Sequence, residues 1–239
     1  MNIPILYEDD TIIVINKPPH LVVNRAESVK GETVADWVDT KVSVSDTASE
    51  DAEMLEFRQR SGIVHRIDKE TSGCLLIAKT IDAFTELQRQ FKDREIKKTY
   101  LAIAHGAIVP DVGEIRAPVG RLPWNREHFG IVPGGKEAVT RYNVLGHQQS
   151  TIGKEALSVV ELYPETGRTH QIRVHLKYIN HPIVGDYLYA GRKTARADRL
   201  WAPRVMLHAY QITFTHPTLG TALAIEAPIP DDMKKIIQH

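Results

Sequence analysis

Cysteine is almost missing from this chain: of 239 residues only Cys74 is one. A lone cysteine has no partner for an intrachain disulfide, which excludes a disulfide-stapled scaffold and suits a reducing compartment. Its setting in the apolar run GCLLIAK makes it a small core residue. Net charge is also absent, since 30 Lys and Arg offset 30 Asp and Glu. A basic field over the whole surface is thereby excluded, and any nucleic-acid role must rest on a local patch. No apolar run approaches the ~20 residues that span a bilayer. The opening MNIPILYEDD is acidic early and lacks a secretion-signal pattern. The chain reads as soluble and cytoplasmic.

The common nucleotide and nucleophile motifs are missing as well. VPGGKEA lacks the Walker spacing, and no G-x-G-x-x-G occurs. GCLL is not a nucleophile elbow, and no Ser/His/Asp set stands out. There is no internal repeat and no low-complexity linker.

With 42% hydrophobic and 25% charged residues, the chain can bury a substantial core. Thr11–Lys17 is a β-branched run stopped by Pro18 and Pro19, hence a strand and a turn, with LVV a further extended piece. Thr33–Thr40 fits a short helix. From Asp39 to Glu56 six acids face one base, Lys41, so about 39–60 is expected to be a flexible, solvated acidic insert. Ala83, Phe84, Leu87 and Phe91 recur at helical spacing, with Asp82 and Lys92 placed to suit the helix dipole. TYLAIAHG reads as a strand ending at Gly106. Residues 111–162 read as antiparallel strands and hairpins, RTHQIRVHLKYI as a helix, and VMLHAYQITFTH and ALAIEA as closing strands. Strands dominate without regular βα alternation. The expected fold is α+β: one domain, residues 1–239, on a large mixed, mainly antiparallel sheet flanked by helices and loops.

Two stretches carry chemistry. In IVHRIDKETSGCLLIAK, Ile63–Lys79, two β-type runs flank a polar insert that starts at Asp68. Asp68 is either turn chemistry, through its side chain and the Thr-Ser-Gly that follows, or an exposed carboxylate on a rigid strand end. His65 lies three residues before Asp68, on the opposite face of a strand, so the two make a weak metal pair and no metal is expected. The second stretch, Glu165–Tyr178, has an apolar face of Ile172, Leu176 and Ile179, while Arg173 and Lys177 share another. His170 and His175 are five apart and do not form an i, i+4 zinc pair. From Pro164 to Tyr210 eight bases face three acids, a local +5 interleaved with aromatics, which suits phosphates and stacked bases. Tyr100 begins a strand near Arg94, Lys97 and Lys98 and by itself reads as half-buried core.

These residues also carry a resemblance. HRIDKETSGCLLIAK resembles the H-R-L-D-x-x-T-S-G signature of RluA-family RNA pseudouridine synthases. INKPPHLVV, QFKDREIKKTYLAIAHG, PETGRTHQIRVHLKYINHPIVGDYLY, RVMLHAYQITFTHPTLG and EAPIPDDM resemble that family's other blocks, in order, over nearly the whole chain. The resemblance implies an isomerase that turns uridine into pseudouridine without cofactor or metal. It implies Asp68 as nucleophile, Arg173 as its basic partner, and Tyr100 as the residue that stacks on the target base. Arg66 would fill the gap left by the flipped nucleotide, a reasonable need because unstacking costs a few kcal/mol. His65, Arg168, His170 and Lys177 complete the expected RNA contacts. Ile67 departs from the commoner Leu, Pro19-His20 departs from a usual small residue or Gly, and the acidic insert is not a family block. No S4-like block stands ahead of the catalytic blocks in this sequence, so recognition of a short stem-loop of ribosomal or transfer RNA by the catalytic blocks themselves is expected; nothing signals an interface, and a monomer is expected. Two readings compete: an RNA-binding or chaperone-like protein without catalysis, and a hydrolase using Asp68 with Glu70.

Overall fold

The β-branched run at the N-terminus is a strand, as its composition predicts. In the computed structural model, which describes residues 1–27, 29–42, 52–123, 125–149 and 156–237, strand β1 (Ile5–Glu8) pairs antiparallel with β2 (Ile12–Lys17). Asp9 turns the chain between them by accepting the Thr11 and Ile12 amides at 2.8 and 2.9 Å. Burial opposes the Asp9 charge, but the His216 bond and these two amides outweigh it and hold its carboxyl well below the usual range. The LVV segment is not a strand. Its Val22 and Val23 carbonyls instead accept the first amides of helix α1 (Val34–Asp39), which Thr33 caps through a reciprocal box with Asp36.

The acidic stretch is only partly what its charge suggests. Residues 43–51 lie outside the described residues. Residues 52–59, expected to be a solvated loop, form helix α2 (Ala52–Gln59) and bury Met54 and Phe57. Counting charge hid an i, i+3 apolar pair whose burial fixes the helix. Phe57 meets Phe84 edge-on at 5.4 Å.

Strand β3 (Ser72–Ala78) is buried along its whole length, antiparallel to β2 on one side. Cys74 lies in it, 2% exposed, and burial pushes its thiol up to about 12, as fits an inert core residue. Helix α3 (Ile81–Lys92) follows the predicted periodicity, capped by Thr80, and buries Ala83, Phe84 and Leu87. Around β2, β3, α2 and α3 gathers a core that includes Ile12, Val14, Leu76, Phe84 and Leu87.

Strand β4 (Lys97–His105) opens a second compact unit, which comprises Lys98–His208 and Ile229–His239, whereas the first comprises Met1–Lys97 and Ala209–Pro228. In the second unit the order is β4, β9 (Ala156–Pro164), β8 (Val139–Gln149), β5 (Val112–Arg116), all antiparallel. A separate two-stranded sheet pairs β6 (Val119–Leu122) with β7 (Asn125–Ile131). Helix α4 (Gln171–Tyr178) starts three residues into the expected RTHQIRVHLKYI helix, because His170 takes a left-handed φ of 56°. Helix α5 (Arg192–Asp198) has no apolar periodicity to announce it. The chain then returns to the first unit through β10 (Leu207–Thr215) and β11 (Ala222–Glu226), an antiparallel pair, and ends in the second with α6 (Asp231–Ile237). Arg204, fully buried, grips Asp232 of α6 through two bonds of 2.6 and 3.0 Å. The arrangement is α+β, with antiparallel ladders in both units. Among the described residues no helix is long and apolar enough to cross a membrane.

Candidate active site

In the first unit the segment 62–68 runs beside β3 but is not the strand expected from IVHRI. Only Ile63 forms a bridge, to Ile77. His65 then replaces the ladder: its Nε2 accepts the Leu76 amide at 2.9 Å, and its ring packs on Phe91 at 4.9 Å. A side chain that supplies a main-chain bond is fixed in place, so His65 supports the segment from within. Val64 and Ile67 are buried on either side of the exposed Arg66. Asp68 follows, half-buried, at the head of a turn closed by the Thr71 amide on the Asp68 carbonyl at 3.1 Å.

The turn is clamped from below. Lys17 is 0% exposed, and its ammonium donates to the carbonyls of Pro18, Leu21 and Lys69 at 2.8, 2.9 and 3.1 Å. It thus ties the residue after Asp68 to the Pro18-Pro19 turn. Gly73 closes the other side. Its φ is +111°, and a Cβ there would stand 2.2 Å from the Ala209 carbonyl oxygen, so only glycine fits. A half-buried carboxylate on so restrained a backbone is a suitable mount for covalent chemistry.

In the second unit the stretch GRTHQIRVH is organised by Gln171. Its carbonyl oxygen accepts the Thr166 hydroxyl and the Arg168 amide at 2.6 and 3.0 Å, and its amide nitrogen donates to Val139 O and Thr140 Oγ1. Thr140 also meets Nδ1 of His175, whose Nε2 donates to the Ala117 carbonyl. Burial pushes the His175 pKa down, consistent with a neutral structural ring. Arg173 is buried and forks onto Asp186 with bonds of 2.7 and 2.9 Å, beneath which lies the Tyr189 ring, 5.0 Å away. His170 bonds the Tyr189 hydroxyl at 2.9 Å and meets Phe129 edge-on. Tyr100 stands half-buried on β4, opposite Leu162 of β9. Two residues earlier on the same face, Lys98 directs its ammonium toward Gly167.

The expected site residues therefore divide. Asp68, Arg66 and His65 belong to the first unit; Tyr100, Arg168, His170, Arg173 and Lys177 belong to the second. Arg66 and Lys177 are exposed, while Arg168 and His170 are half-buried. Lys17, Lys98, Gln171 and Asp186 were missed by sequence reasoning. Strand alternation from Tyr100 could have singled out Lys98; nothing local distinguishes Lys17 or pairs Arg173 with Asp186.

The +5 segment also sorts by depth. Arg173 and Arg204 are buried on carboxylates, and of the three acids Asp186 and Asp198 are buried too. Asp198 meets His105 at 3.0 Å and the Gly185 amide at 2.9 Å. Lys177, Arg192, Lys193 and Arg196 stay exposed, and Glu165 is matched by Arg141 at 2.9 Å. Burying acids with internal partners leaves the basic excess at the surface, where a polyanion is met.

Residues 11–178 match the family model described as RNA pseudouridylate synthase. The chain is 41% identical to ribosomal large subunit pseudouridine synthase D of Neisseria meningitidis, over 99% of this chain and 61% of that protein. It is 38% identical to an uncharacterized RNA pseudouridine synthase of Bacillus subtilis, over 100% of this chain and 73% of that one. The chain thus spans about three fifths of the length of the first of these relatives. Among solved structures, human RNA pseudouridylate synthase domain containing 1 superposes with a TM-score of 0.71 at 28% identity, over 95% of this chain and 83% of that one.

Proposed function

We propose that this chain, which belongs to the RNA pseudouridylate synthase family, isomerises uridine to pseudouridine in structured RNA. The reaction exchanges the C1′–N1 bond for C1′–C5; N1 gains a proton and C5 loses one. Asp68 is the reacting carboxylate: the nucleophile if it attacks C1′, the base if it takes the 2′ proton. Arg173, fixed in orientation by Asp186, is the basic residue of the site. Tyr100 stacks on the target base, and the exposed Arg66 occupies the space that the flipped nucleotide leaves. The surface bases around α4 and α5 hold the phosphates. His65 acts indirectly, by holding the segment that carries Arg66 and Asp68.

The observation that carries this reading is the clamped turn. Asp68 sits in the family-matched region on a backbone pinned by Lys17 and by Gly73. A pure RNA binder has no use for a restrained carboxylate facing a polyanion. The family relation and the names of the relatives favour large-subunit ribosomal RNA as substrate, ahead of transfer RNA. The enzyme acts in the cytoplasm as a monomer on a stem-loop, without metal or cofactor.

The test offers each RNA, labelled with tritium at uridine C5, to the protein. Tritium is released only when the base is rejoined through C5. Release from ribosomal RNA transcripts is expected; silence with both RNAs would contradict the proposal.

A further inference from the structure

We propose that Lys98 is a further substrate-facing residue, whose ammonium stabilises the negative charge that collects on the uracil ring while it is detached. This rests on the isomerase reading above. β4 alternates, so Lys98 and Tyr100 project from the same face, about 7 Å apart along the strand. A base stacked on Tyr100 has its edge within the reach of a lysine two residues away. The Lys98 ammonium lies against the loop that leads into α4: a Cβ at Gly167 would stand 4.0 Å from Nζ. That loop is held by Gln171 through the Thr166 hydroxyl and the Arg168 amide, so the ammonium faces a fixed wall.

The second observation is the missing partner. Among the described residues no carboxylate or other acceptor pairs with Lys98. The nearby acid of the loop, Glu165, is matched by Arg141. Arg168 is directed at the Glu137 carbonyl. Desolvation alone, with nothing to offset it, pushes the Lys98 pKa down to about 8. An ammonium drawn out of water without a counter-charge destabilises the folded chain and is retained where a ligand supplies that charge.

Two anionic groups can meet Lys98: the phosphodiester, always charged, and the uracil ring, charged only while it is detached. Phosphates are met well by cations in water, and this surface already offers Lys177, Arg192, Lys193 and Arg196. A desolvated cation beside the base-stacking residue suits a charge that appears only during reaction, because its field is little screened and needs no reorganisation. Arg173 is less suited, since Asp186 already cancels much of its charge. In the direct route the Asp68 carboxylate bonds C1′ as the C1′–N1 pair departs with the ring. One negative charge thereby moves from Asp68 to N1, O2 and O4 of the uracil. When C5 returns its pair to C1′, the bond to Asp68 breaks, C5 gives its proton to solvent and N1 takes one up. Lys98 keeps its proton and forms no covalent bond.

The experiment is single-turnover tritium release with enzyme in excess, together with filter-binding affinity and thermal unfolding, for wild type, Lys98→Met and Lys98→Arg. For Lys98→Met the expected results are a rate at least ~30-fold lower, a Kd for unmodified RNA within twofold, and a midpoint no lower than wild type. Lys98→Arg is expected to regain part of the rate. A weaker Kd with an unchanged rate would overturn the proposal in favour of a phosphate contact. A slower rate with a lowered midpoint and no regain in Lys98→Arg would overturn it in favour of a structural role. Silence of the wild type would instead contradict the isomerase reading, and Lys98's role with it. An active wild type matched by an equally active Lys98→Met would overturn the role of Lys98 alone.

Discussion

Lys17 in the first unit is fully buried and Lys98 in the second is half-buried, yet among the described residues only Lys17 of the two is met by acceptors. Three carbonyls take its three protons, at 2.8 to 3.1 Å, and they come from two loops that the ammonium thereby joins. Lys98 has desolvation and, among the described residues, no protein partner. The same functional group does structural work in one setting and stands ready for a substrate in the other. What separates the two roles is whether the protein itself completes the hydrogen bonds.

The largest effect is expected for Lys17→Met. Three partly buried carbonyls then lose their donor, at about 1–3 kcal/mol for each group left unsatisfied and less where the loops relax or water reaches them. A loss of about 3–5 kcal/mol is expected, a fall of roughly 10 °C in thermal midpoint for a chain of this size. A midpoint within 2 °C of wild type would show that the clamp is dispensable.

Lys98→Met carries the opposite sign, and its pH dependence follows from the depressed pKa. Between pH 8 and 10.5 the unfolded chain binds a proton that the folded chain has released, so wild-type stability rises with pH through that window. Below pH 8 the full penalty is present, at most about 3 kcal/mol. The variant should therefore be more stable than wild type by 1–3 kcal/mol at pH 7, from unfolding curves. That advantage should shrink as pH approaches 10.5. A constant advantage across the window would mean that desolvation of the ammonium is not its source.

Lys177 supplies the exposed reference on α4. Lys177→Met should leave the midpoint within about 1 °C. RNA affinity should fall a few-fold, and the slope of log affinity against log salt should decrease by about 1, as for one lost phosphate contact. An unchanged slope would place Lys177 away from the RNA.

Legibility in the sequence follows the same division between local and distant causes. β2, α3 and the core role of Cys74 were readable because periodicity and composition are local. The H-R-I-D-x-x-T-S-G stretch pointed to Asp68, and the structure adds why its glycine is needed: the Ala209 carbonyl crowds the Gly73 Cα. IVHRI misled because its alternation is that of a strand, whereas His65 takes over the Leu76 amide with its ring. α2 was hidden by charge, since Met54 and Phe57 are two apolar residues among acids. The pairing of Arg173 with Asp186 was not legible: thirteen residues and the end of a helix separate them. Lys17 and Lys98 look like any surface lysines until the elements around them are in place.

Whether Asp68 is the reacting carboxylate rather than only the head of a turn is tested most directly by Asp68→Asn. Asparagine keeps the size of the side chain and the Thr71 turn bond, which uses the main chain, while removing the nucleophile. Tritium release from C5-labelled ribosomal RNA should drop below detection while RNA affinity stays within about twofold and the midpoint is retained. Release at a rate within tenfold of wild type would show that Asp68 is not the reacting carboxylate.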